Sequence, residues 1–153
     1  MNIGLLEDKD KLLDFMFHPL FVEHCLYDDD TRERFFNNRP TSKYFYIEDS
    51  EIMSVVQFEC MTPVLMCVHM FINPKYWGDD YGPDVYKIFT NWLKDTYPHI
   101  HKLLVLVPVV CRNVIMCAGK IGFQPEGIVA GGVYWRGKVV DMAILTKFIR
   151  GVN

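Results

Sequence analysis

The sequence lacks several features that would point directly to a function. Its 153 residues carry a net charge of −3 and no basic run, and nucleic acid is not expected as a partner, because binding a phosphate backbone requires a clustered positive face. The apolar runs are too short to span a bilayer, so no membrane association is expected. There are no internal repeats, low-complexity segments or linkers, and the length predicts one domain over residues 1–153.

Cysteine and histidine also lack the spacing of a ligand set. The five cysteines are Cys25, Cys60, Cys67, Cys111 and Cys117, and they form neither a CxxC pair nor a zinc pattern with the five histidines. No metal site is therefore expected. Since the sequence shows no signal peptide, the cysteines are predicted to be reduced thiols, mostly in the core, of a protein in a cytoplasmic compartment.

What the sequence does contain is a central βαβ pattern. Residues 64–72 and 103–110 are apolar runs of strand length, joined by a polar loop and an amphipathic helix over residues 83–97. Such a crossover makes the two strands parallel neighbours or near-neighbours. Because ligands of open α/β sheets bind at the carboxyl ends of such strands, a site is expected near residues 72–82 and 109–113. A second helix is predicted from the spacing of Val114, Cys117, Ala118 and Ile121.

The helical spacing also predicts a core. The residues expected to be mostly buried are Ile88, Phe89, Trp92, Leu104, Leu106, Val114 and Ile121, and those expected to be exposed are Lys87, Lys94 and Asp95.

The flanking segments complete an α+β pattern. Residues 1–6 could form a strand; helices are predicted over residues 7–17 and 20–26, an antiparallel meander over 43–47, 52–61 and 64–72, and a closing hairpin over 123–134 and 138–147. The predicted fold is a mixed sheet with a meander, a central βαβ unit and a C-terminal hairpin, with helices on both faces. The acidic run Asp28–Asp29–Asp30 is interpreted as a solvated turn at a helix N-terminus, with a cation or amine site as the alternative.

This order of elements resembles that of the Gcn5-related N-acetyltransferase (GNAT) superfamily. Three segments carry the resemblance: residues 73–78 (Asn-Pro-Lys-Tyr-Trp-Gly), 120–127 (Lys-Ile-Gly-Phe-Gln-Pro-Glu-Gly) and 134–141 (Tyr-Trp-Arg-Gly-Lys-Val-Val-Asp). The overall pattern, with His18-Pro19 before the acidic run, is most similar to small GNAT-like proteins of tailed bacteriophages.

The resemblance implies acetyl-CoA as cofactor, with its diphosphate at the start of the helix after the central strand. The cofactor-binding positions it implies are Ile72, Trp77, Gly78, Asp79, Tyr81, Gly82 and Asn113. The loop departs from the family pattern, because no Arg or Gln opens it, Pro83 removes an N–H, and Asp79, Asp80 and Asp84 oppose an anion. Weak binding is therefore expected. The aromatic residues Tyr76, Trp77 and Tyr81 could stack on an adenine or a partner protein, or simply pack the loop.

The implied catalytic positions also depart from the family. Many members of the family use a Glu on the central strand as general base, but Glu59 lies on the preceding strand. His69, on the central strand, is therefore the candidate base; the alternative is that His69 has only a structural role. Ala118 stands where the family has a Tyr acid. Cys111 and Asn113 are the other candidate catalytic residues. Cys111 follows a strand and precedes a helix, where a thiol pKa can be lowered; the alternative is an inert buried cysteine.

Two functions follow from these observations. The first is transfer of an acetyl group from acetyl-CoA to a small-molecule or protein amine. The alternative is a catalytically inactive GNAT-fold phage protein that acts in virion assembly or as a module binding phage or host proteins. Either protein would be expected in the host cytoplasm or the virion.

Overall fold

The computed structural model describes residues 1–151, which form seven β-strands and four α-helices. The strands are β1 (Asn2–Leu5), β2 (Lys43–Glu48), β3 (Ile52–Cys60), β4 (Leu65–Ile72), β5 (Lys102–Pro108), β6 (Gln124–Trp135) and β7 (Lys138–Phe148). The helices are α1 (Lys9–Met16), α2 (Pro19–His24), α3 (Gly82–Thr96) and α4 (Arg112–Ile121), and a short 3-10 turn covers Pro74–Tyr76.

The seven strands form one sheet in the order β1-β2-β3-β4-β5-β7-β6. Strands β2, β3 and β4 pair antiparallel as a meander, and β6 and β7 pair as a hairpin. Strands β4 and β5 are parallel neighbours, as the crossover through α3 predicted. The fold class predicted from the sequence is confirmed, including the central βαβ unit.

Alternating side chains of the strands build two cores on opposite faces of the sheet. The face covered by α3 and α4 buries, among others, Phe45, Ile47, Val56, Phe58, Met66, Val68, Leu103 and Val107. The opposite face, covered by α1 and the turns after α2, buries Leu12, Met16, Leu26, Phe35, Tyr44, Ile52 and Val55. Successive residues of a strand therefore lie in different cores, one on each face of the sheet.

Helix α3 packs as its apolar spacing predicts. Phe89 is buried, with its ring centroid 5.4 Å from that of Phe45 and 5.9 Å from that of Phe58. The predicted exposure of Lys87, Lys94 and Asp95 is confirmed, and Ile88, Trp92, Leu104, Leu106 and Ile121 are half-buried.

Helix α4 is rotated relative to the prediction. Val114, expected in the core, is 47% exposed, and Cys117 is exposed as well. The helix packs instead through Ile115, Ala118 and Ile121. Ala118 and Ile121 belong to the predicted stripe, whereas Ile115 takes the place of Val114, from which it lies about 100° around the helix. Val114 and Ile115 are both apolar, so the periodicity does not choose between them.

The acidic run after α2 does not start a helix. Residues 28–40 form turns, and two of the three carboxylates are engaged in the fold. Asp30 is 1% exposed and forms a two-pronged ion pair with Arg39, in which Nη2 lies 2.6 Å from Oδ2. Asp28 accepts hydrogen bonds from the backbone of the β6–β7 turn. The expectation of a solvated helix start is therefore wrong for this run.

Candidate functional site

The parallel strands β4 and β5 diverge soon after they meet. Their pairing covers only Leu65 to Cys67 of β4 and Lys102 to Leu104 of β5. We call the opening between residues 68–72 and 105–108 the splay. It lies at the carboxyl ends of the two strands, where the crossover predicted a ligand site.

Backbone groups of both strands point into the splay. Asn73 N donates to Met53 O at 2.8 Å, so odd-numbered residues of this stretch turn their peptide groups towards β3. Val109 N likewise donates to Asp141 O at 2.9 Å, so odd-numbered residues of β5 face β7. The N–H and C=O groups of the even-numbered residues, Met70 and Leu106, therefore face the opening, where no strand pairs with them. Unpaired backbone groups at a sheet edge are ready to bind an extended ligand.

The N-terminus of α3 adjoins the end of β4. A Cβ atom at Gly82 would lie 3.8 Å from Ile72 Cδ1 and 3.8 Å from Ile121 Cδ1, so this helix start touches both β4 and α4. Tyr81 precedes the helix and its side chain makes no capping hydrogen bond. The free N–H groups of the first turn can thus donate hydrogen bonds to an anion, although Pro83 has no N–H to contribute.

The loop before α3 carries a negative charge that the structure does not neutralise nearby. Asp79 and Asp80 are exposed, and Asp80 adopts a positive φ of 52°, in the left-handed region that favours glycine. Lys75, the cation of this loop in the sequence, is already ion-paired with Glu51. We call residues 73–81 the acidic loop. Its charge opposes a diphosphate at the start of α3.

The aromatic residues of the acidic loop hold it in place. Trp77 Nε1 donates to Ile72 O at 2.8 Å, and the indole packs against Phe21 and His24 of α2 with centroid distances of 6.0 and 6.2 Å. The rings of Tyr76 and Tyr81 lie 5.8 Å apart. These contacts favour the loop-packing interpretation of Trp77 and Tyr81 over stacking on a ligand, and they occupy the carbonyl of Ile72.

A row of polar side chains crosses β2, β3 and β4 on the face of the sheet that α1 covers. Tyr44 lies directly across from Gln57, and Gln57 directly across from His69. His69 Nε2 is 3.9 Å from Cys67 Sγ. Burial, reinforced by the nearby Arg39 guanidinium, lowers the pKa of His69 to about 4. The imidazole is therefore neutral at physiological pH.

The remaining predicted positions lie at the start of α4. Cys111 is half-buried just before the helix, and burial raises the pKa of its thiol even though Arg136 opposes this effect. Its thiolate fraction at neutral pH is therefore low, which favours the inert interpretation. Asn113 is exposed in the first turn of α4. Ala118 packs in the core, so the helix offers no acid there.

The sequence did not predict two polar contacts that involve the turns after α2. One is the buried pair of Arg39 and Asp30, whose partners are nine residues apart on turns without periodicity. The other joins Arg136 to Asp28, which lie 108 residues apart. In the sequence each of these residues looks like an isolated solvated charge, so the pairing becomes visible only in the three-dimensional structure.

A shallow cleft of about 260 Å³ lies apart from these residues, where α1, α2 and the start of the acidic loop meet. Its lining contains none of the predicted site residues. Within the described residues, His, Cys, Asp and Glu side chains do not form a group of three or more that could hold a metal ion. None of the helices in this part of the chain has the length and apolarity that crossing a bilayer requires.

Comparisons with known proteins identify the architecture. No protein-family profile and no curated protein matches the sequence, whereas solved structures do. The spermidine N-acetyltransferase of Vibrio cholerae, in complex with CoA and spermine, matches with a TM-score of 0.76 at 14% identity, over 96% of this chain and 94% of that one. This chain has the GNAT fold.

Two further structures show the same GNAT fold. The ribosomal-protein-S5-alanine acetyltransferase of Vibrio fischeri matches with a TM-score of 0.74 at 12% identity, over 95% of this chain and 91% of that one. The protein smu.2055 of Streptococcus mutans UA159 matches with a TM-score of 0.73 at 15% identity, over 98% and 100%. At these identities the likeness concerns the fold alone.

Proposed function

We propose that this protein is an N-acyltransferase that transfers an acetyl group from acetyl-CoA to an amine. The observation that carries the proposal is the splay, in which the peptide groups of Met70 and Leu106 lack a strand partner beside the free N-terminus of α3. Strands buried on both faces normally pair along their whole length, because an unpaired buried peptide group costs free energy. An extended ligand with amide groups of its own would satisfy these positions.

The residues present fit acetyl-CoA in part. Met70 and Leu106 would hold its amide-containing arm, and the N–H groups at Gly82 and Asp84 would face its diphosphate. Asp79 and Asp80 oppose that diphosphate, so we expect an affinity in the high micromolar range or weaker, about −6 kcal/mol or less favourable. When bound, acetyl-CoA supplies a thioester that acylates a neutral amine.

The protein's contribution is mainly to position the reactants. His69 lies on β4, the strand that borders the splay, and its neutral imidazole can accept a hydrogen bond from the attacking amine. Its pKa of about 4 makes it a poor base for an ammonium group, whose pKa is about 10. We propose that the amine loses its proton to solvent before it binds and that His69 orients it. The acylation rate should then rise with pH in step with the free amine.

A second candidate is favoured by the acidic loop and by Ala118. In that case the protein is a GNAT-fold scaffold without catalysis, which binds phage or host proteins during infection or in the virion. The expected similarity to bacteriophage proteins and the expected cytoplasmic location stay predictions.

Calorimetry with acetyl-CoA separates the two candidates. Replacing Asp79 and Asp80 together with Asn should tighten binding several-fold, because two like charges near the diphosphate are removed. Asp95→Asn, at the exposed far end of α3, is the matched control and should change nothing. Release of free CoA in the presence of polyamines, amino acids or peptide N-termini then tests transfer.

The outcomes differ clearly. Binding that tightens in the double variant, together with amine-dependent CoA release, supports the acyltransferase. Absence of binding by both proteins refutes it and favours the scaffold. Tight binding by the unmodified protein would show that the acidic loop does not oppose the cofactor.

A further inference from the structure

Helix α2 begins with a histidine cap that requires a neutral imidazole. His18 Nδ1 accepts a hydrogen bond from Leu20 N at 3.2 Å, so this nitrogen carries no proton. The carbonyl of His18 accepts from Phe21 N at 2.9 Å and from Val22 N at 3.1 Å, so both the side chain and the backbone of His18 close the first turn. Because α2 has only six residues, this cap satisfies a large share of its unpaired N–H groups.

The ring of Phe21 connects this cap to the acidic loop. Phe21 is 1% exposed, and its ring centroid lies 6.1 Å from that of His18 and 6.0 Å from that of Trp77. The same ring packs edge-on against Phe71, near the end of β4, at 5.8 Å. Trp77 Nε1 in turn donates to Ile72 O, which ties the acidic loop to the last residue of β4. One buried ring therefore links the start of α2 to the loop that borders the splay.

The charged groups around His18 are already paired with one another. His18 is exposed and lines the shallow cleft together with three charged side chains, Lys11 and Asp14 of α1 and Glu51 of the β2–β3 turn. The acidic loop contributes only uncharged residues to this lining. The three charges form the ion pairs Lys11–Glu48, Asp14–Arg32 and Glu51–Lys75. The main consequence of protonating His18 is therefore the loss of its acceptor nitrogen.

We propose that His18 makes the anchoring of the acidic loop sensitive to pH. Imidazole gains a proton between about pH 8 and pH 5, and a protonated Nδ1 becomes a donor that faces the N–H of Leu20. The cap is then lost, the first turn of α2 loosens, and Phe21 holds Trp77 less firmly. Acidification thus loosens the acidic loop, and neutral pH fastens it.

A loosened loop changes the charge that an anion encounters at the start of α3. Asp79 and Asp80 are exposed residues of this loop, and the loop ends directly before Gly82, the first residue of α3. When the loop is free to move, both carboxylates can rotate towards solvent and away from the N–H groups of the first turn. This consequence for acetyl-CoA rests on the proposed function, whereas the loosening of the loop does not.

Hydrogen exchange at the indole N–H of Trp77, followed by NMR, measures the anchoring without requiring activity. Solvent catalysis of exchange varies with pH for every indole, so the rate at Trp77 is divided by the rate at Trp92. Trp92 is a suitable reference because it is half-buried on α3 and packs against Phe45 at 4.7 Å, away from α2. We expect the ratio to rise roughly fivefold from pH 7.5 to pH 5.5, the factor that the loss of a typical N-cap gives.

Substitutions at position 18 separate the cap from the effect of pH. His18→Asn supplies a capping side chain that does not titrate and should keep the ratio low at both pH values, whereas His18→Ala lacks a cap and should keep it high at both. His24 also contacts Trp77 and lies 3.6 Å from the Glu23 carboxylate, so His24→Gln is the matched control and should retain the rise. The proposal is overturned if the unmodified protein shows no rise, if the rise persists in His18→Asn, if the ratio stays low in His18→Ala, or if the rise disappears in His24→Gln.

Calorimetry with acetyl-CoA at the same two pH values tests the consequence for the anion. The phosphate groups of acetyl-CoA titrate alike in both experiments, so the unmodified protein is compared with His18→Asn. On acidification we expect the affinity of the unmodified protein to increase at least threefold relative to that of His18→Asn. An equal pH dependence in the two proteins overturns the claim about the anion. If neither protein binds acetyl-CoA, the proposed function fails, while exchange at Trp77 still decides whether His18 controls the loop.

Discussion

Protonation of His69 should destabilise the folded protein in a specific pH window. Burial comes first and the Arg39 cation second in lowering the pKa of His69 from its ordinary 6.5 to about 4. The unfolded chain therefore binds a proton between these pH values that the folded protein does not. Stability is fully present above pH 6.5 and is lost as the pH falls towards 4, the reverse of a histidine that gains an acidic partner.

The magnitude follows from the two pKa values. A tenfold difference in proton affinity corresponds to about 1.4 kcal/mol, so acidification through the whole window of about 2.5 pH units costs at most about 3–4 kcal/mol. Because His69 is half-buried rather than fully buried, we expect a loss of about 1–2.5 kcal/mol between pH 7.5 and pH 4.5. This is a large share of the stability of a typical domain.

Urea unfolding of three proteins at these two pH values measures the effect. His69→Gln lacks the titrating group and should lose less stability on acidification than the unmodified protein, by the amount given above. His99→Gln, at an exposed histidine, should retain the full loss. An equal loss in all three proteins, or an NMR titration that places the pKa of His69 above 6, would refute the reasoning.

Two further predictions concern packing and buried charge. Phe89→Ala should lower the free energy of unfolding in urea by about 3–5 kcal/mol, because it empties a buried aromatic site. Val114→Ala should change it by no more than about 0.5 kcal/mol, because Val114 is exposed. Equal losses in the two variants would contradict the observed packing. Asp30→Asn should lower the free energy of unfolding by about 3–5 kcal/mol, because it leaves Arg39 buried and unpaired. Asp14→Asn, in an exposed ion pair, should lower it by less than about 1 kcal/mol. A small effect at Asp30 would show that its ion pair is effectively solvated.

The sequence predicted the strands and helices well because each carries its own period. Residues 103–110 and the Phe89 stripe differ from their surroundings in hydrophobicity, and the crossover rule orders the strands they join. The rotation of α4 was missed because Val114 and Ile115 are both apolar. Which of them faces the sheet is settled by the packing of α4 in the assembled fold, where Ile115 contacts the core and Val114 is exposed.

The candidate site was only partly predictable for a related reason. Its location follows from topology, since the carboxyl ends of β4 and β5 must meet at one edge. Its electrostatics depend on contacts between distant residues. Lys75 looks like a free cation beside the acidic loop until Glu51, 24 residues away, is seen to pair with it. Asp28 and Asp30 look like one solvated charge run, yet one binds the hairpin and the other a buried guanidinium.

The two departures from the family pattern do not weigh equally against catalysis. In the proposed acyltransferase, Ala118 would supply no proton to the departing sulfur, but an ordinary thiol has a pKa near 8.5 and leaves as a thiolate at mildly alkaline pH without help. The free amine is still the minor form in that range, because its ammonium has a pKa of about 10, but its fraction rises with pH as the need for the acid falls. The acidic loop weighs more heavily, because the carboxylates of Asp79 and Asp80 oppose the diphosphate whether or not an amine is present. Whether this fold acts as an enzyme is therefore decided by the binding of the cofactor and not by the missing acid.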